Sequence, residues 1–154
     1  MKPNYLLIPL ATVATALGGS WLTSTGMSWY HQIHLPGWTP AGSVIGTVWT
    51  ILFILATISA LLIYNLIPRG KKRRQIMWAF LINAVLNVLW SALFFGWHLL
   101  GSAIIEAAVL ALSVLVLIVM AWPRSKAAAV MLIPYFAWVC FAAYLTYNVW
   151  SLNR

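Results

Sequence analysis

Asn83, Asn87 and Ser91 recur at four-residue spacing inside an otherwise apolar run, with Trp90 and Phe94 beside them. On a helix these positions fall on one face. Two amides, a hydroxyl and two rings in line can either join helices by hydrogen bonds or line a cavity. The spacing leaves both readings open. The chain's one acid, Glu106, lies in another apolar run, with Ser102 at i−4 and Ser113 at i+7. A carboxylate inside a membrane costs on the order of a few kcal/mol. It must therefore be neutral, hydrogen-bonded or facing water, as a functional group or as a neutral acid bonded to a neighbouring helix. His31 and His34 share a loop without a third ligand nearby, so no metal site is expected. No phosphate loop and no nucleophile–base pair occurs. The single cysteine, Cys140, permits no internal disulfide and reads as small apolar filler among Trp138 and Phe141.

The elements that carry these residues follow from composition. The chain is 64% hydrophobic and 6% charged, whereas a soluble domain has about a quarter of its residues charged. Five apolar segments, 5–25, 44–67, 75–97, 101–122 and 127–152, each suffice to cross a bilayer, which takes about 20 residues as a helix. Strand-length alternation is absent, which excludes a membrane β-barrel. The expected fold is an all-α integral membrane protein, one domain over 1–154, with five transmembrane helices and a long loop at 26–43. Lys2, the cluster Arg69, Lys71, Lys72, Arg73 and Arg74, and the pair Arg124 and Lys126 fall on one side of such a bundle; Arg154 alone falls on the other. The positive-inside rule then puts the N-terminus inside and the C-terminus and the first loop outside. The run "RGKKRR" sets orientation and attracts anionic headgroups; a nucleic-acid partner is not expected. Lys2 and "ATA" at 14–16 have the look of a signal peptide, but the apolar run continues to Thr25, so a retained span is expected.

Tryptophan at a membrane interface is normally a belt anchor, and that role covers most of the ten. A belt role suits Trp78, Trp97, Trp122 and Trp150, near segment ends, but not Trp138, which lies deep. Trp49 and Phe53 are i,i+4 in the second segment; Pro134, Trp138, Phe141, Ala142 and Leu145 share a face of the fifth. With the third segment's rings these suggest a flat aromatic slot. Small residues at Ala14/Gly18, Thr15/Gly19, Ala84/Val88/Ala92/Gly96 and Ala103/Ala107/Ala111 form packing seams, within the bundle or between protomers.

The first loop, "WYHQIHLPGWTPAG", followed by "VWTILF", "NAVLNVLWSALFF" and "LIPYFAWVCFAAYLTYNVWSLN", resembles the translocator protein family, also called tryptophan-rich sensory protein (TspO) or peripheral-type benzodiazepine receptor. The resemblance runs from about Trp21 to Asn153 and suggests a bacterial-type member in the cytoplasmic membrane. It implies a five-helix bundle, commonly a homodimer, with a pocket capped by the first loop. The implied ligands are porphyrins (protoporphyrin IX or haem-like) and other flat hydrophobic molecules, with no cofactor required and lipids as the remaining partner. The implied binding positions are Tyr30, Trp38 and Pro40 in the loop, Trp49 and Phe53, then Asn87, Trp90, Ser91 and Phe94. Glu106 and Ala107 follow in the fourth segment, and Trp138 and Ala142 in the fifth. Some bacterial members are said to degrade porphyrin in light, which would make Trp49 and Trp138 catalytic. Two departures stand out. Ala41 occupies a position where the family often has a second proline, and the animal sterol motif is not met, because Arg154 lies one position too far from Tyr147.

On this reading the loop is a lid: Pro36 and Pro40 stiffen it, while Trp38 and Tyr30 close over the pocket. Three functions compete. The first is a membrane-embedded tetrapyrrole-binding protein acting as sensor, scavenger or carrier. The second is an enzyme that degrades porphyrin with light and oxygen. The third is a small proton-coupled multidrug transporter, disfavoured because such chains have four helices and carry their acid in the first.

Overall fold

A computed structural model describes residues 3–154; Lys2, one of the charges that orient the chain, lies outside the described residues. Five long helices follow one another: α1 (Asn4–Tyr30), α2 (Gly42–Leu66), α3 (Lys71–Ser91), α4 (Leu100–Ala121) and α5 (Lys126–Leu152). No strand occurs among the described residues. Each helix is long and apolar enough to span a bilayer, α3 together with the π-helical turn Ala92–Gly96 that continues it. Inside hydrocarbon a helix satisfies its backbone N–H and C=O groups within itself.

Two helix boundaries differ from expectation. α1 runs to Tyr30, five residues beyond the apolar stretch, so the lid shrinks to 31–41. Ser24 and Thr25 do not break it, because their hydroxyls bond back to the carbonyls of Trp21 and Leu22 at 2.7 and 2.8 Å. α3 begins at Lys71, inside the basic cluster, since a helix leaving the hydrocarbon no longer needs apolar side chains.

The helices form a ring, α1–α2–α5–α4–α3, closed by α3 and its π turn against α1. The seam between α4 and α5 is the most extensive. Leu100, Ala103, Ala107, Leu110, Val114, Leu117 and Ala121 bury one stripe of α4 at i, i+3/i+4 spacing. At the end carrying the basic loops, Ile63, Ile67, Ile76, Ala121, Ala128 and Ala129 fill the ring. In its middle Leu52, Leu110, Val114, Leu117, Leu132, Tyr135 and Val139 do the same. Ser59 ties α2 to α5 by donating to the carbonyl of Ala128 at 2.9 Å.

Parts of the small-residue stripes pack within the bundle, while Ala14 is exposed. Cβ positions at Gly18 and Gly19 would face Val88 and Ser91 of α3, and Ala103 and Ala107 are buried in the α4 core stripe. Cys140 is exposed on α5, so it is not the interior filler its neighbours suggested. The helix turns it away from the packed face carrying Tyr135 and Val139.

Candidate functional site

At the lid end the ring is not filled. A cavity of about 780 Å³ lies between α1, α2, α3, α5 and the lid, within the ~300–1,000 Å³ usual for small-molecule sites. α2 supplies Trp49 and Phe53, with ring centroids 5.6 Å apart. α3 supplies Asn87, Trp90 and Ser91, and the π turn after it supplies Phe94, whose ring stacks on Trp90 at 5.1 Å. From α5 come Trp138, Phe141, Ala142 and Leu145. Tyr30 closes the end of α1 against Phe94 and Phe95. Pro36 and Pro40 reach the cavity from the lid. Among the described residues, no Asp, Glu, Lys or Arg lines it.

The polar stripe on α3 divides by depth. Asn83 is glue: its Nδ2 donates to Ser113 Oγ at 2.8 Å, and its Oδ1 accepts from the Tyr135 hydroxyl at 3.1 Å. One turn on, Asn87 donates from Nδ2 to the same hydroxyl at 3.2 Å and lines the cavity. Its Oδ1 has no donor among the described residues, and so remains available to a guest.

Of the binding positions implied by resemblance, three lie outside the lining: Trp38, Glu106 and Ala107. Trp38 stacks on Tyr144 at 5.6 Å, nearly parallel, with its edge toward Phe141 at 6.0 Å. It therefore fastens the lid to the side of α5 instead of roofing the cavity. Asn153 adds a two-point clamp: the His34 N–H donates to its Oδ1 at 2.9 Å, and its Nδ2 donates to the His34 carbonyl at 2.8 Å. Ala107 and Glu106 belong to the buried face of α4, of which only Leu110 reaches the lining.

Both oxygens of Glu106 are buried without a hydrogen-bond partner among the described residues. A buried polar group left unpaired costs about 1–3 kcal/mol. Glu106→Leu is therefore expected to raise the thermal midpoint of the purified protein and, being outside the lining, to leave ligand affinity unchanged. A lowered midpoint would mean that the carboxyl has a stabilising partner after all.

Sequence reasoning missed the wall given by α1, where Thr15, Gly19, Thr23 and Met27 face the cavity. Thr15 and Gly19 were read as helix packing alone, and Thr23 and Met27 were not singled out. The recurrence of hydroxyl and glycine at four-residue spacing, ending on Met27, was the available signal.

The class defined by fold and site is a five-helix membrane protein with an uncharged, aromatic cavity beneath a clamped extramembrane loop. Within that class, residues 6–151 match the TspO/MBR family, and the chain belongs to it. It is 33% identical over 153 residues to the Tryptophan-rich protein TspO of Bacillus cereus, covering 99% of each chain. It is equally 33% identical over 148 residues to the Uncharacterized membrane protein YtaB of Bacillus subtilis, covering 96% of this chain and 95% of that one. The Translocator protein of Ovis aries is 29% identical over 140 residues, 90% of this chain and 82% of the relative.

Proposed function

We propose that the cavity binds porphyrins or similar flat hydrophobic molecules and that the protein serves as their sensor, scavenger or carrier in the membrane. One observation carries this reading: rings from four helices and a half-satisfied amide, Asn87, line one cavity that, among the described residues, holds no Asp, Glu, Lys or Arg. Stacking on such rings adds about 0.5–1.5 kcal/mol per pair beyond area burial, and a sparse polar group fixes orientation. The transporter reading gains nothing from the cavity, because Glu106 lies outside its lining. A bacterial cytoplasmic membrane, a homodimeric assembly and the outward-facing lid complete the proposal.

Anaerobic titration with protoporphyrin IX, followed by illumination in air, tests binding and separates it from turnover. Saturable quenching of tryptophan fluorescence is expected; its absence would remove the proposal. The oxidative alternative draws on Trp49 and Trp138, two indoles from different helices that line the cavity. Phenylalanine keeps a ring face but gives up an electron far less readily than indole. Trp49→Phe and Trp138→Phe should each lower affinity by ~1 kcal/mol or less, while any light-dependent loss of the porphyrin band drops sharply. Unchanged photobleaching in the double variant would take the indoles out of the chemistry.

Orientation has its own test. In a Cys140→Ala background, Ser43→Cys, beside the lid, should react with an impermeant maleimide applied to whole cells, and Gly70→Cys, in the basic loop, should not. The opposite pattern would put the lid inside.

A further inference from the structure

On the α1–α2 side only a thin partition stands between the bilayer and the cavity. A second space, an apolar groove of about 340 Å³ between α1 and α2, shares Ala16, Thr50 and Phe53 with it. One layer of side chains therefore separates cavity from groove. Val13 and Ile54, on the groove's edge, are 52% and 55% exposed within membrane-spanning helices, so the groove opens toward hydrocarbon. Its hydroxyls are already engaged. Thr57 donates to Thr12 at 2.8 Å, Thr12 to the Ile8 carbonyl at 3.3 Å, and Thr50 to the Gly46 carbonyl at 2.9 Å. A polar guest would gain nothing there, whereas a hydrocarbon chain matches the remaining wall.

The two exits from the cavity are held differently. The lid is fixed by the His34–Asn153 clamp and the Trp38–Tyr144 stack, and Ile33 and Leu35 pack into the cluster of Leu100, Ala103 and Val149. The α1–α2 seam is joined by side-chain hydrogen bonds at Asn4–Asn65 and Thr12–Thr57. Both lie on the basic-loop side of Ala16 and Phe53. From there to the lid no side-chain hydrogen bond crosses the seam among the described residues. A rotamer change of Phe53 would merge the two spaces, and such changes are cheap beside moving a clamped loop.

We propose that this groove is a lateral portal: a lipid acyl chain fills it at rest, and a hydrophobic ligand dissolved in the bilayer enters past Phe53, not past the lid. The ligand half of this inference rests on the cavity being a binding site; the acyl-chain half does not. A gap facing lipid tails forfeits dispersion contacts if left empty, which favours a chain as resident. Entry from the bilayer also spares a hydrophobic ligand the passage through water at the lid.

The test locks each exit in turn, in a Cys140→Ala background reconstituted into phosphatidylcholine vesicles. Val13→Cys with Ile54→Cys, joined by a short bifunctional maleimide, closes the seam. Trp38→Cys with Tyr144→Cys, joined likewise, closes the lid. None of these four positions lines the cavity. Vesicles preloaded with protoporphyrin IX are mixed with the protein vesicles, and quenching of tryptophan fluorescence follows association. Blocking a path slows entry and exit equally and leaves the equilibrium titration unchanged. Closing the seam should slow both rates about tenfold or more, with the lid-locked protein within about twofold of the parent. Slowing by the lid lock alone would overturn the portal. A bimane on Thr50→Cys gives the independent arm: lipids brominated in mid-chain should quench it, and should not quench a bimane on Thr23→Cys. An unquenched label at position 50 rejects the acyl chain. Were protoporphyrin IX not to bind at all, the binding proposal would fail, and the bimane result would still decide the groove's occupant.

Discussion

Replacing Gly26 by leucine is expected to leave little folded protein in the membrane. At the lid end α1 lies directly against the π turn after α3. A Cβ at position 26 would sit 2.7 Å from Phe95 Cβ and 2.8 Å from the Phe95 carbonyl carbon, and closer still to its oxygen. Two of these atoms are backbone, so no rotamer relieves the clash. Nor can the π turn yield easily, since Trp97 N–H donates to the Ala92 carbonyl and Leu99 N–H to that of Leu93, each at 2.8 Å. Even Gly26→Ala should lower stability. The gain in helix propensity, about 1 kcal/mol, is outweighed by overpacking at ~1–3 kcal/mol or more. Gly18→Ala is the control. Its Cβ would meet only Val88 methyls, at 3.6 and 3.7 Å, an ordinary contact, so the propensity gain should show. Thermal unfolding of the purified variants decides the matter. A Gly26→Ala midpoint at or above the parent's would mean that α1 and the turn separate at no cost.

Asn87→Leu should weaken porphyrin binding by ~1–3 kcal/mol by leaving a polar ligand group unpaired in an apolar cavity, about five- to 150-fold in Kd. Tyr135→Phe should act on the fold first. It strips the acceptor from Asn87 Nδ2 and the donor from Asn83 Oδ1, two orphaned groups among buried residues. The cost should lie near the low end of ~1–3 kcal/mol, because interhelical hydrogen bonds in membranes average about 0.6 kcal/mol. Affinity should fall less than in Asn87→Leu, since the amide remains but is no longer oriented. Protoporphyrin IX titration beside thermal unfolding separates the two variants. Binding by Asn87→Leu equal to the parent's would exclude the amide from the site.

The sequence by itself determined the five spans, the all-α class and the stripe from Asn83 to Phe94. Each of these is a one-dimensional property: apolar length sets spans, and helical period sets faces. It also located most of the cavity's rings, since Trp49, Phe53, Trp90, Phe94 and Trp138 were legible as inward-facing aromatics and line the same cavity. Which neighbour each face meets was beyond it. Asn83 and Asn87 look alike along the chain, yet Ser113 and Tyr135 absorb the first and leave an oxygen of the second free. Small residues on α1 look like packing wherever they occur; only the ring order of the helices turns Gly19 and Thr23 toward the cavity and Gly26 onto Phe95. Trp38 in a proline-stiffened loop suggests a roof, but Tyr144 on α5 offers it a stacking partner outside the cavity. Glu106 sits on the face of α4 that packing buries, not on one the cavity opens. Spacing fixes direction around one helix axis, whereas a site depends on how several axes cross, and that crossing is set by the total fit of buried side chains.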